Sequence, residues 1–151
     1  MWQVETINKI AQRNGYSINA HKFDFHDYNP AKIYSAILVF GLIQILNWNS
    51  INNLINKIDG WTDTGSSVFI TAFSTKDASY HKYSNEWKAV NKNSFINGNN
   101  EFRTFLEENE ILKLFENYKV LHHREGLGQK HRHANGPIEQ HEMIEAVFQK
   151  N

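Results

Sequence analysis

A chain of 151 residues with 16 Lys plus Arg against 16 Asp plus Glu has the length of one domain and no net field to attract a polyanion, which argues against a nucleic-acid partner. Cysteine is absent, which removes disulfides, thiolate metal sites and thiol nucleophiles together, so any metal would rest on His, Asp and Glu. The N-terminus carries neither the basic nor the apolar region of a signal peptide, and the longest apolar run, AILVFGLIQIL, is too short for a bilayer; the expectation is a cytoplasmic protein, off the membrane, with a small-molecule partner.

In chain order, Ile7, Ile10 and Ala11 share one helical face and Gly15 stands where a left-handed residue would end the helix, which predicts a helix over 3–14. SINAHKFDF, 17–25, reads as a strand closing on Asp24. IYSAILVFG, 33–41, is nearly continuous in apolar residues, the pattern of a strand covered by helices on both faces of a parallel sheet. Ser50 is a suitable cap for a helix whose stripe is Ile51, Leu54, Ile55 and Ile58, with Gly60 as its stop. SVFITAF, 67–73, is a second buried strand.

Residues 74–100 are polar but carry Tyr80, Tyr83, Trp87 and Phe95, which suggests a lid or ligand-covering connection rather than a disordered linker. FLEENEILKLFENY predicts a helix starting near Glu107, with Glu107, Glu108 and Glu110 suited to its N-terminal dipole. YKVLHH and EMIEAVFQ are two final strands. They lie too close in sequence for a crossover helix and are expected to pair antiparallel. The alternation belongs to an α/β doubly wound sheet in one domain spanning 1–151.

Between the last two strands stands HHREGLGQKHRHANGP, 122–137, which holds four of the eight histidines. Gly126 and Gly128 follow a strand, but neither a third glycine nor a helix follows them, so the Gly-x-Gly reads as a hairpin connection rather than a phosphate cradle. His131 and His133, two apart, would share a face on an extended segment, and His141 or His122 would complete a facial set for zinc or another borderline ion. A solvated loop coloured by histidine is the competing reading. No G-x-S-x-G elbow is present.

An antiparallel hairpin ending a parallel sheet resembles class I S-adenosylmethionine-dependent methyltransferases. YSAILVFGLIQILNWNSINNLINKI, TDTGSSVFITAF and FLEENEILKLFENYKVLHHREGLGQKHRHANG resemble the later two-thirds of the tellurite-resistance (TehB-like) methyltransferases. The resemblance implies a Rossmann-like class I sheet and S-adenosylmethionine as cofactor. By position, Asp24 matches the acidic residue near the adenine amino group, with Phe25 beside it, and Leu38 to Leu42 would line the cofactor mouth. GQKHRHANG matches the Gly-x-x-His-Arg loop over the acceptor, which assigns His131 and Arg132 as catalytic. All five residues are expected to converge on one cleft.

Three departures accompany the match. Ser35 stands for the Asp that opens the fourth strand, Ser66 stands for the second glycine of a Pro-Gly-Gly turn, and the glycine-rich first motif would lie before Trp2. The expected fold is therefore N-terminally truncated, with the family's first two strands absent. In the family's strand order those strands lie between the third and fourth, so their loss would leave an uncovered edge that invites pairing with a partner chain or a second copy. Two functions follow: a methyltransferase domain or fragment acting on a small-molecule acceptor, or a non-catalytic methyltransferase-like module completed by a partner chain.

Overall fold

The structure, a computed structural model, describes residues 2–132 and 135–151. The chain divides into two compact units, residues 1–30 and 31–151.

In the first unit, α1 (Trp2–Asn14) ends at Gly15, whose φ of 66° is left-handed. The expected strand over 17–25 does not form. Instead the Asn8 amide brackets Ala20, donating to its carbonyl at 3.0 Å and accepting from its N–H at 2.7 Å. That side chain takes the backbone groups a sheet ladder would need. Ile18 and Phe23 stay exposed, so the apolar spacing that suggested a strand buries little.

The second unit is built on a four-stranded sheet, ordered β1 (Ala36–Val39), β2 (Ser67–Phe73), β9 (Glu142–Lys150), β6 (Tyr118–Leu127). β1 and β2 run parallel, and β9 runs antiparallel to both β2 and β6. β6 is therefore parallel to β2, and the final hairpin pairs as expected.

α2 (Trp48–Trp61) connects β1 to β2 and buries Ile51, Leu54 and Ile58. Its cap is Asn47 rather than Ser50: the Asn47 side-chain oxygen Oδ1 accepts the Ser50 N–H at 2.9 Å, so the helix starts a turn earlier. Gly60 lies inside it. The stop is Thr62, whose hydroxyl donates to the Ile58 carbonyl at 2.7 Å. The helix expected from Glu107 is only α4 (Glu110–Leu114), because Asn109 takes a left-handed φ of 60° just before it. The three acidic residues are ion-paired, Glu107 and Glu110 with Lys92 and Glu108 with Lys76.

One face of the sheet is core. Val39, Val68, Ile70, Ala72, Ile144, Ala146 and Phe148 are buried on it, and the Phe148 ring stacks at 4.4 Å on Phe115, the residue that ends α4. The opposite face is open: Leu38 and Phe40 are each 61% exposed. The expectation of cover on both faces of β1 is thus corrected to one.

Residues 74–106 are not a featureless connection. They form α3 (Tyr80–Glu86) and a separate antiparallel sheet of β3 (Lys88–Asn91), β4 (Ser94–Ile96) and β5 (Phe102–Thr104). The buried Ser94 and Thr104 hydroxyls pair at 2.8 Å, and Thr104 donates on to the Leu46 carbonyl at 2.6 Å. That bond ties the small sheet to the segment after β1.

Candidate functional site

Strand direction puts the carboxyl ends of β1, β2 and β6 at one end of the sheet, the usual location of ligands in open α/β sheets. The segments after β1 and β2 and the tip of the final hairpin meet there. The tip folds as its own short ladder, β7 (His131–Arg132) against β8 (Ile138–Glu139). β6 runs through Gly126, and Gly128 still bonds to the His141 carbonyl at 2.8 Å. The Gly-x-Gly is therefore strand and strand end rather than the turn. A Cβ at Gly128 would stand 3.1 Å from Met143, which explains the glycine by close approach.

Asp77, in the loop after β2, joins that loop to the hairpin. Its carboxylate is 1% exposed and accepts from the Ser79 N–H at 2.9 Å, the Ser79 hydroxyl, the Glu142 N–H at 2.8 Å and His141 Nδ1 at 3.0 Å. Burial pushes this carboxyl upward, but the bonds from Ser79, Glu142 and His141 together outweigh it and hold the group below the ordinary carboxylate value. An ionised carboxylate only accepts, so His141 carries its proton on Nδ1. In the neutral ring Nε2 then carries the lone pair, 3.7 Å from the Glu139 carboxylate. The His141 ring is fixed from behind by stacking on Phe73 at 4.5 Å.

His131 obeys the same logic. Its Nδ1 lies 3.2 Å from the Gln129 carbonyl, which can only accept, so Nε2 is again the lone-pair nitrogen. The ladder register sets His131 opposite Glu139, and the His131 and His141 ring centroids are 5.4 Å apart. Ligand atoms of His131, Glu139 and His141 all lie within 4.8 Å of one another. Beside this cluster opens a cleft of about 440 Å³ lined by Phe73, Asp77, Lys82, Tyr83, Arg103 and His141, among others. The Arg103 guanidinium lies over the Tyr83 ring at 5.5 Å. The cleft combines two cations, the carboxylates of Asp77 and Glu139, an aromatic wall and the His141 imidazole, which suits a small polar molecule.

His131 and Arg132 are adjacent and exposed on β7, and strand alternation sends them to opposite faces of the ladder. Leu38 lies elsewhere, in a cross-strand row with Phe69, Val147 and His122 on the open face. Phe69, Val147 and His122 of that row, with Phe40, Thr71 and Glu145, line a hollow of about 420 Å³. His122 is thus held on the sheet face, while His141 is the histidine brought to His131; His133 lies outside the described residues. Asp24 and Phe25 belong to the first unit. There the Asp24 carboxylate accepts from the His26 N–H at 2.9 Å and bonds the His26 ring at 2.7 Å, with Phe25 and His26 ring centroids 3.9 Å apart. These His26 bonds, the backbone one foremost, lower the Asp24 carboxyl. Asp77, Lys82 and Arg103 were not singled out by the sequence; Asp77 is 64 residues from His141 and carries no local signal.

No protein-family model and no curated protein matches the chain. Solved structures do. TehB from Haemophilus influenzae superposes over 95% of this chain with a TM-score of 0.68 and 16% identity. An S-adenosylmethionine-dependent methyltransferase from Clostridium acetobutylicum covers 95% with a TM-score of 0.59 and 12% identity. The N-methyltransferase NodS from Bradyrhizobium japonicum covers 97% with a TM-score of 0.57 and 15% identity. The fold is that of the class I S-adenosylmethionine-dependent methyltransferases. The chain spans 45% of the length of the Haemophilus protein and 69% and 68% of the other two.

Proposed function

We propose that the chain carries out, or forms part of, S-adenosylmethionine-dependent methyl transfer to a small-molecule acceptor, of the tellurite-resistance type and in a cytoplasmic setting. The observation that carries this reading is the strand order with β9 reversed between β2 and β6, which closes a histidine-bearing hairpin over the carboxyl ends of the strands.

The chain's own residues fit such a cofactor in kind. Leu38, Phe40 and Phe69 offer open apolar surface for a flat ring, and the Asp24 carboxylate beside Phe25 is an acceptor suited to an adenine amino group. When bound, S-adenosylmethionine supplies an electrophilic methyl group whose departure leaves the bonding pair on sulfur. The protein's work is then alignment and desolvation of the acceptor. In this reading His131 orients the acceptor and takes its proton at Nε2, while Arg132, on the other face of the ladder, draws an anionic acceptor toward the tip. Residues 74–100 reach the cleft through Asp77, Lys82 and Tyr83, which supports their role as its cover.

Calorimetry with S-adenosylmethionine on the 151-residue chain tests the reading, with native mass measured in parallel. The expected result is one-to-one binding, weakened in Asp24→Ala and unchanged in Arg132→Ala. An absence of heat at millimolar cofactor contradicts it.

A second reading is a non-catalytic module completed by a partner chain that adds a strand at β1. It is favoured by β1 pairing only with β2 among the described residues and by the exposure of Leu38 and Phe40 beside that edge. A cofactor-binding monomer in the same experiment excludes it.

A further inference from the structure

We propose that His131, Glu139 and His141 form a three-ligand site for a borderline divalent cation such as zinc, open on its fourth side to the cleft at the hairpin tip. The site does not depend on methyl transfer, and the two uses of His131 exclude one another: with the cation bound, its Nε2 has no lone pair left to take a proton.

Three independent features bring the ligands together. The β7–β8 register sets His131 and Glu139 directly across the ladder, where side chains stand about 4.5–5.5 Å apart at Cβ. His141 follows Glu139 by two residues, in the short link between β8 and β9, and its Nε2 comes within 3.7 Å of the Glu139 carboxylate. The Asp77 carboxylate and the Phe73 ring then fix the His141 imidazole from two directions.

Both histidines donate Nδ1–H to an oxygen, Asp77 for one and Gln129 for the other, and so both turn a lone-pair Nε2 outward. A carboxylate or carbonyl holding the far nitrogen of a ligand histidine is the recurrent support of metal sites, fixing tautomer and ring direction. Zinc bonds of about 2.0–2.2 Å in a tetrahedron set ligand atoms about 3.4 Å apart. The His141 Nε2 to Glu139 separation is 3.7 Å, and all three ligand atoms fall within 4.8 Å. His131 is exposed and the Glu139 side chain is 41% exposed, so small rotations of these two close the set on a rigid His141.

Two imidazoles and one carboxylate are the donor set of catalytic rather than structural zinc, with a fourth position left for water or an incoming ligand. Glu139 and the ionised Asp77 behind His141 balance the charge of a divalent ion, so the positive field at the open position comes from Lys82 and Arg103, which line the same cleft. The open position is therefore suited to an anionic ligand.

Titration of the full chain with cobalt chloride, followed by visible absorption, and with zinc chloride, followed by calorimetry, tests the proposal without any cofactor. One cobalt per chain with the intense visible bands of a four- or five-coordinate ion is expected, displaced by one zinc. His131→Ala and His141→Ala should abolish those bands. Glu139→Gln, on an exposed side chain whose loss spares the fold, should weaken zinc at least tenfold with an unchanged circular dichroism spectrum. Asp77→Asn should weaken it about 10–100-fold while leaving one site per chain, the usual cost of losing such a supporting carboxylate. His122→Ala, on the sheet face, should bind as the parent chain does. Absence of binding, or binding equally tight in Glu139→Gln and His131→Ala, overturns the site.

Discussion

The two ends of the β6–β9 hairpin hold similar polar side chains put to opposite uses. At its base, polar groups satisfy one another. Tyr118 shares its hydroxyl with Thr62 at 3.2 Å and donates to Asp59 at 3.0 Å, while the Lys150 ammonium donates to the Asp59 and Thr62 carbonyls and pairs with the Asp59 carboxylate at 3.1 Å. Lys150, and after it Tyr118, hold the Asp59 carboxyl low, and burial raises the Tyr118 phenol. At the tip, Asp77 is saturated in the same way, but its bonds aim His141 at Glu139 and the cleft. A network that closes on itself is structure; one that ends on lone pairs facing a cleft is equipped to bind.

Mutations at the two ends should separate those uses. The largest loss is expected at the buried layer next to the base: Phe148→Ala removes a fully buried ring stacked on Phe115 and should cost about 4 kcal/mol in urea unfolding. Asp77→Ala should follow at about 3 kcal/mol, because it strips partners from Ser79, Glu142 and His141 at once; unlike Phe148→Ala, it should also disturb the tip's ligand binding.

Acid titration sharpens the second case. Asp77 sits below its ordinary value of 3.8, so its contribution is complete above that value and is lost as pH falls through the lower folded value. The stability gap between parent and Asp77→Asn should stay flat from neutral pH to about 5 and close in strongly acid solution. Tyr118→Phe should cost only about 1 kcal/mol and leave the tip unaffected. Glu139→Gln should shift stability by less than about 0.5 kcal/mol, its effect appearing in binding alone.

How far the sequence foretold this follows from where its signals lie. β2 was legible to the residue, because SVFITAF is an apolar run bounded by turns, and the β6–β9 hairpin was legible from the short interval between two strands. The strand over 17–25 failed because its spacing is strand-like while the Asn8 amide takes Ala20, a contact twelve residues away with no local trace. The small sheet of β3, β4 and β5 was missed because its strands are three or four residues long and only half apolar. At the tip, His131 announced itself by histidine density. Asp77 did not, since its role exists only once the β2 loop and the start of β9 lie together.

Amide chemical shifts recorded while S-adenosylhomocysteine, the demethylated cofactor, is titrated into the labelled chain test the central claim most directly. Shifts are expected in Asp24 and Phe25, in Leu38 to Leu42, in Phe73 to Ser79 and in Gly128 to Arg132 with Ile138 to His141, with Thr62, Tyr118 and Lys150 unmoved. Shifts centred on that base, or none at saturating ligand, would contradict it.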